Sequence, residues 1–225
     1  GLDQFGHPLA INSTGNIIAV GEKSHDGNPA AQGDNRGRVR VYSFSDSSSS
    51  WSRLGQDIYG QNDDDNLGRD IAINSTGNIV AISCLAAERP VRVYQLSGSS
   101  WVQLGNDITG DTAAPGVTNK YWGYSLDLNS DGSRIAIGNL FSDHVQVYDL
   151  IGSTWTQVGN NIDGEQGRLS GCSVALNSVG NRVVIGDIAN SDGGQGAGHV
   201  RVYELVGSTW TQLGQDIDGQ NAEDA

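Results

Sequence analysis

SSWSRLGQDI, residues 49–58, decides the fold of this chain, because the same phrase returns three more times. The copies are SSWVQLGNDI at 99–108, STWTQVGNNI at 153–162 and STWTQLGQDI at 208–217. Their tryptophans, Trp51, Trp101, Trp155 and Trp210, are 50, 54 and 55 residues apart. A phrase that recurs four times at this spacing indicates one structural unit repeated four times.

Each phrase follows the same series of short β-branched segments and turns. In the first repeat the segments are 9–12, 17–21 and 39–44, and the phrase itself supplies a fourth at 51–58. Boundaries rich in Asn, Gly and Ser are strand and hairpin signals, and the segments show no helical period. Four antiparallel strands in a unit of this length are typical of a propeller blade.

The sequence therefore predicts an all-β protein, a single β-propeller domain over residues 1–225 with four blades of four antiparallel strands each. The expected blades are 5–60, 67–110, 122–164 and 170–219. A β-sandwich is the alternative, but it would not repeat one phrase four times. The whole number of repeats favours a closed ring. The tail DIDGQNAEDA reproduces the linker between repeats, so a piece of a larger propeller is the other interpretation.

The amino-acid composition of the chain limits the kinds of partner that it can bind. The chain has 13 Lys and Arg against 26 Asp and Glu, a formal net charge of −13, which disfavours nucleic acid because phosphates would be repelled. No apolar run is long enough for direct membrane insertion. The chain starts at Gly1 rather than Met, as in a processed or excised product, so the lack of a signal peptide does not indicate the compartment. Cys84 and Cys172 occupy non-equivalent repeat positions and predict two separate thiols.

The start of each repeat carries a family resemblance. The pairs Phe5-Gly6, Leu67-Gly68, Trp122-Gly123 and Ser170-Gly171 are followed about a dozen residues later by AVG, AIS, AIG and VIG. These motifs resemble the FG-GAP repeats of integrin α-subunit propellers and their microbial and algal relatives, over the whole chain. The resemblance implies an extracellular or cell-surface propeller for adhesion or ligand binding, and not an enzyme.

The resemblance raises the question of whether the chain binds calcium, because the family often carries a calcium-binding loop. In the third repeat Asp127, Asn129 and Asp131 match the start of the family's calcium loop, but no acidic residue closes it. Calcium requires six or more oxygen ligands, so a tight hairpin turn is the favoured interpretation. We expect no cofactor and no metal.

The residues that could support catalysis do not converge. His7, His25, His144 and His199 show no zinc spacing, and Cys172 stands at a strand entry without an evident base. Asn12 and Asn74 each begin a glycosylation sequon. Both lie in predicted turns, where Asn is favoured because its side chain can hydrogen-bond to the nearby backbone.

Loop lengths indicate a binding face. The turns between the first and second and between the third and fourth strands are uniform, whereas the other loops vary and must share the opposite face. We predict that this face binds a cationic patch, protein or glycan through a group of acidic residues. They are Glu22, Asp26, Asp34, Asp63, Asp64, Asp65, Asp111, Asp187 and Asp192. The expected function is a non-enzymatic adhesion module; the alternative is a structural building block that assembles with further blades or copies.

Paired charges in the repeats predict ion pairs. The third strand carries Arg40, Arg92 and Arg201 in repeats 1, 2 and 4, and the fourth strand carries Asp57, Asp107 and Asp216. In repeat 3 both charges vanish together, leaving Gln146 and Asn161. Since the two positions lie one diagonal step apart on a sheet, we predict an Arg–Asp pair in three blades and a neutral pair in the third.

Overall fold

The structure is a computed structural model. It describes residues 4–27, 33–85, 90–110, 121–140, 142–165, 169–189, 191, 194 and 196–220. All regular elements in these ranges are strands, arranged in four antiparallel sheets that we call blades 1 to 4. The predicted fold class, an all-β propeller with four blades, is confirmed. The described residues contain no helix long and apolar enough to cross a membrane.

The blades follow one another along the chain, and each begins with its inner strand. Blade 1 contains β1 (Leu9–Ile11), β2 (Ile17–Glu22), β3 (Arg38–Ser45), β4 (Ser50–Arg53) and β5 (Ile58–Tyr59). Blade 2 contains β6 (Ile71–Ile73), β7 (Ile79–Ser83), β8 (Val91–Ser97) and β9 (Ser100–Gln103). Blade 3 contains β10 (Trp122–Leu128), β11 (Arg134–Asn139), β12 (His144–Ile151), β13 (Thr154–Gln157) and β14 (Ile162–Asp163). Blade 4 contains β15 (Ser170–Leu176), β16 (Arg182–Asp187), β17 (His199–Val206), β18 (Thr209–Gln212) and β19 (Ile217–Asp218).

The predicted fourth strand is broken in every blade. In blade 1 it stops at Arg53, and Ile58 then pairs with Val39 as part of the short strand β5. Gly55, at φ +78°, stands at the break, where a residue with a side chain would be strained. In each repeat the chain therefore pairs a second time with the third strand, at its start, before it continues to the next blade.

An asparagine organises the turn between the first two strands. In blade 1 the Asn12 Oδ1 accepts hydrogen bonds from the amides of Asn16 and Ile17, at 3.0 and 2.9 Å. Asn74 accepts from the Ile79 amide in the same way, at 3.0 Å. Both side chains are almost fully buried. The two sequon asparagines are thus held inside their turns by hydrogen bonds.

The hydrophobic core lies between blades. One cluster joins blades 1 and 2, a second joins blades 2 and 3, and a third joins blades 3 and 4. The inner strands pack in the same order, β1 on β6, β6 on β10 and β10 on β15. No comparable packing joins β1 to β15 in the described part of the chain. The four blades form an open arc, not the closed ring that the whole number of repeats favoured.

Candidate functional site

The acidic loop face predicted from sequence is largely neutralised within blade 1. The Glu22 carboxylate is buried and lies 2.5 Å from Arg38 and 3.2 Å from Arg40. Arg36 lies between two further acids, 3.2 Å from Asp34 and 2.7 Å from Asp63. These acids already have arginine partners, so a cationic ligand would have to displace them.

The remaining acids of this set have different surroundings. Asp65 is buried against Arg92 at 2.8 Å, and Asp64 accepts a hydrogen bond from the Asn35 side chain at 3.1 Å. Asp26 accepts from the Asn35 amide at 3.4 Å. Asp111 and Asp192 lie outside the described residues.

The predicted Arg–Asp positions lie close together in the structure. The shortest distances are 3.4 Å for Arg40–Asp57, 3.1 Å for Arg92–Asp107 and 2.8 Å for Arg201–Asp216. In blade 3 the Gln146 Nε2 donates to the Asn161 Oδ1 at 2.9 Å. Sequence reasoning missed second acidic partners for these arginines, such as Glu22 for Arg40 and Asp65 for Arg92.

Blade 4 contains a buried histidine, His199, that lies close to three aspartates. The His199 Nε2 is 3.3 Å from Asp187, and its Nδ1 is 3.6 Å from Asp216 and 4.0 Å from Asp218. Burial raises the pKa of Asp187, and the facing imidazole opposes that rise. His199, Asp216 and Asp218 are the one set of three side chains in the described residues that could together hold a metal ion. Arg201, however, already lies 2.8 Å from the same Asp216 oxygen, and a cation there would be repelled.

The inner strands of blades 2 and 3 bring a second group of chemically useful side chains together. Arg69 and Asp70 stand directly before β6, while Tyr121, Tyr124 and Asp127 lie just before or within β10. The Arg69 guanidinium is 4.4 Å from the Tyr124 ring centre and 5.7 Å from that of Tyr121. All five side chains are partly accessible. We call this group the inner cluster.

Asp70 is the residue of the inner cluster with the most perturbed acidity. Burial raises its pKa to about 6, with the charge of Asp127 in the same direction and that of Arg69 opposing it. Its Oδ2 accepts a hydrogen bond from the Leu126 amide of the next blade at 2.7 Å. Burial also raises the pKa of Asp127, which accepts from the Leu176 amide at 2.6 Å. A carboxylate that titrates near neutral pH beside a fixed guanidinium can exchange protons with a bound substrate.

Cys172 occupies the equivalent strand entry in blade 4 but is not activated. Its thiol lies 3.4 Å from the Gly186 carbonyl, to which it donates, and burial raises its pKa. The inner cluster itself was missed by sequence reasoning. The available signal was the charged pair Arg69-Asp70 at a position where the other repeats carry His7-Pro8, Tyr124-Ser125 and Cys172-Ser173.

Three solved bacterial proteins illustrate the likeness in fold. They include a candidate 6-phosphogluconolactonase of Bacteroides uniformis, with 12% identity and a TM-score of 0.62, covering 93% of this chain and 55% of that one. The periplasmic gluconolactonase PpgL of Pseudomonas aeruginosa has 15% identity and a TM-score of 0.61, covering 93% and 56%. A candidate 6-phosphogluconolactonase of Bacteroides fragilis has 13% identity and a TM-score of 0.63, covering 94% and 54%. The chain thus spans about half the length of these proteins.

These structures correct the expectation drawn from the FG-GAP resemblance. The chain resembles lactonase-type propellers in fold, and not the integrin α-subunit propellers. The assignment to FG-GAP repeats was wrong, because short strand phrases and Gly-rich turns are shared by unrelated propellers. The non-enzymatic adhesion and carbohydrate-binding function depended on that resemblance and is wrong with it. No family model and no curated protein matches the sequence.

Proposed function

We propose that the chain carries a hydrolytic site for a lactone, the cyclic ester of a sugar acid, at the inner cluster. The observation that carries the proposal is Asp70, a carboxylate with a pKa near 6 held beside Arg69 at the start of an inner strand. The named activities of the similar structures support the substrate class. In a propeller the innermost strand of each blade lines the central channel, where a ligand can contact several blades at once.

Each residue has a part in this reaction. The ionised Asp70 accepts a proton from a water molecule as the water oxygen attacks the lactone carbonyl carbon. The Arg69 guanidinium stabilises the negative charge that develops on the carbonyl oxygen. When the ring C–O bond breaks, Asp70 returns the proton to the leaving oxygen, so one water is consumed and one hydroxy acid is formed. The hydroxyl groups of Tyr121 and Tyr124 can hydrogen-bond to the sugar acid, while their rings hold the Arg69 guanidinium.

The test is hydrolysis of glucono-δ-lactone, followed by proton release with a pH indicator in weak buffer. We expect turnover above the spontaneous rate, and a fall of about 10²-fold or more in Asp70→Asn, since the amide cannot accept the proton. Asp46→Asn, which removes an exposed acid from a distant turn, is the matched control. The rate should rise as the pH increases through about 6, when Asp70 becomes ionised.

Two results would contradict this function. One is a rate equal to the spontaneous rate at high protein concentration. The other is an Asp70→Asn variant that remains folded and as active as the unchanged chain. Activity that disappears with EDTA would instead indicate a resident metal, against the metal-free chemistry proposed here.

We propose an extracytoplasmic location, which the periplasmic Pseudomonas aeruginosa protein supports. Secretion to the cell exterior or surface is the finer form of the same proposal. The net charge of −13 supports partners other than nucleic acid. Fractionation of source cells with an antibody against the chain tests the compartment, and recovery in the cytoplasm alone would contradict it.

A further inference from the structure

The inner cluster is assembled from two neighbouring blades. Arg69 and Asp70 belong to blade 2, whereas Tyr121, Tyr124 and Asp127 belong to blade 3. Blade 2 thus supplies the two charged groups that act on the lactone, and blade 3 supplies side chains that surround them. The proposed site therefore depends on contacts across the interface between these two blades.

Asp70 is fixed through its backbone and through its carboxylate. Its amide donates to the Ser83 Oγ of the same blade at 3.0 Å. Its Oδ2 accepts a hydrogen bond from the Leu126 amide of blade 3 at 2.7 Å. The Arg69 guanidinium stands instead at the end of a long side chain with many rotamers, so its position depends on the groups that pack against it.

Two tyrosine rings pack against that guanidinium. Its central carbon, Cζ, lies 4.4 Å from the ring centre of Tyr124 and 5.7 Å from that of Tyr121. The two ring centres are 6.2 Å apart, and the rings are tilted by 56°. Both contacts fall within the about 6 Å at which a cation is attracted to a ring face. Stacking engages the face of the guanidinium, whereas its N–H donors lie in the plane.

The fold does not require an aromatic residue at the position of Tyr124. The other three repeats carry His7, Arg69 and Cys172 there. Among the described residues, the buried apolar cluster that joins blades 2 and 3 includes Trp122 from the same strand but not Tyr124. Core packing therefore does not account for the Tyr124 ring, and a role in holding Arg69 does.

We propose that Tyr124 is a positioning residue of the lactone site: the face of its ring holds the Arg69 guanidinium where the negative charge develops on the carbonyl oxygen. The inference rests on the proposed function. A donor that is in place before the reaction needs no reorganisation, so its position affects the rate. The ring acts through Arg69, whereas the hydroxyl group contacts the sugar acid, and substitution can separate these two parts.

The first experiment compares two replacements of Tyr124 in the hydrolysis of glucono-δ-lactone. Tyr124→Phe keeps the ring face and loses the hydroxyl group, so KM should rise while kcat stays within about twofold. Tyr124→Leu removes the ring, so kcat should fall by about tenfold, less than the about 10²-fold expected when Arg69→Gln removes the donor itself. Equal losses of kcat in Tyr124→Phe and Tyr124→Leu would overturn the proposal.

A double replacement shows whether Tyr124 acts through Arg69. In Arg69→Gln the guanidinium is already absent, so adding Tyr124→Leu should change kcat by about twofold or less. Two losses that multiply independently would overturn the proposal. Tyr42→Leu is the matched control, because the Arg53 Cζ lies 5.5 Å from the Tyr42 ring centre, between the third and fourth strands of blade 1. Its kcat should equal that of the unchanged chain.

The acidity of Asp70 gives a readout that needs no substrate. Burial raises the pKa of Asp70 to about 6, the charge of Asp127 acts in the same direction and that of Arg69 opposes them. Without the Tyr124 ring the Arg69 side chain moves into water. The pKa of Asp70 should therefore rise above about 6 in Tyr124→Leu and stay there in Tyr124→Phe, as measured by carbon NMR of the carboxyl group. An unchanged titration in folded Tyr124→Leu would refute the role of the ring.

The two proposals can fail separately. If no lactone is hydrolysed, the proposed function fails, and the NMR titration still shows whether the Tyr124 ring holds Arg69. If the lactone is hydrolysed and Tyr124→Leu retains full kcat, the function stands and the positioning role fails. Circular dichroism confirms that each variant folds. Tyr124→Cys, which introduces the residue type of blade 4 at this position, gives the same test if Tyr124→Leu does not fold.

Discussion

Arg92 is the residue whose replacement should reveal how the buried charges are balanced. Its side chain is 3% exposed and lies 2.8 Å from Asp65 and 3.1 Å from Asp107. Asp65 is equally buried, whereas the side chain of Asp107 is 35% exposed. Burial favours the neutral form of Asp65, but hydrogen bonds from Arg92 and the Asn62 amide outweigh it and hold the pKa of Asp65 below its usual value.

The expected cost follows from these two partners. Arg92→Gln leaves the Asp65 carboxylate buried without a counter-charge, which should lower the free energy of unfolding by about 3 to 5 kcal/mol. Adding Asp107→Asn should restore little, because water can solvate an exposed carboxylate and such pairs contribute about 1 kcal/mol or less. Adding Asp65→Asn should restore most of the loss, since no buried charge then remains. In blade 3 the positions of Arg92 and Asp107 are already neutral, as Gln146 and Asn161.

Urea denaturation at pH 7, followed by tryptophan fluorescence, measures all of these variants. Arg182→Gln is the control, because its pair with Glu204 is as short, at 2.9 Å, but Arg182 is 51% exposed. It should cost about 1 kcal/mol or less. In Arg92→Gln the folded-state pKa of Asp65 should be raised, so the variant should recover stability as the pH falls and this carboxyl is protonated. Additive effects of Arg92→Gln and Asp65→Asn would refute the reasoning.

Four further predictions concern the inner cluster and the interfaces. Burial raises the pKa of Asp70 from 3.8 to about 6, so the folded chain binds this proton more tightly than the unfolded chain. As the pH rises from 3 to 7.5, the free energy of unfolding of the unchanged chain should therefore fall by about 3 kcal/mol relative to that of Asp70→Asn, as measured by urea titration. Trp101→Ala should lower the free energy of unfolding by about 3 to 5 kcal/mol in the same assay. Trp51→Ala should lower it much less, since Trp51 is 44% exposed to water already. Gly105→Ala should lower the thermal midpoint more than Gly214→Ala; both glycines have positive φ, but the first would push a Cβ against a tryptophan ring, and equal shifts would contradict the packing. EDTA should leave the thermal midpoint unchanged, and a fall of several degrees would reveal a structural metal.

The repeated phrase was sufficient to predict the propeller, because its tryptophans contact the preceding blade and its glycines contact the next one. The break after Arg53 was not predicted, since the apolar pattern continues to Ile58 and conceals the positive φ of Gly55. The interface role of Gln56, which accepts a hydrogen bond from the Trp101 amide of the next blade at 2.8 Å, was also missed. Its equivalents are amide residues in all four phrases, which was the available signal.

The candidate site was harder to predict, because it depends on contacts between repeats. Asp65 looked like a surface acid in the run Asn62-Asp63-Asp64-Asp65, yet the chain turns it inward onto Arg92, 27 positions away. The pKa of Asp70 depends on burial at an inner strand, which no local pattern shows. Likewise the FG-GAP resemblance rested on strand starts that any tightly packed propeller needs.

Packing restricted to neighbouring blades has a consequence for how the protein opens. In the described residues, blades 2 and 3 each pack on a neighbour on both sides, whereas blades 1 and 4 each pack on one. Stability should therefore be distributed unevenly, with local opening free energies lowest at the two termini of the arc. Amide hydrogen exchange would reveal a gradient, with slow exchange at β7 and β11 and faster exchange towards β2 and β17. Any contact that covers the outer blades would flatten that gradient and turn a chain that frays into one that opens as a single cooperative unit.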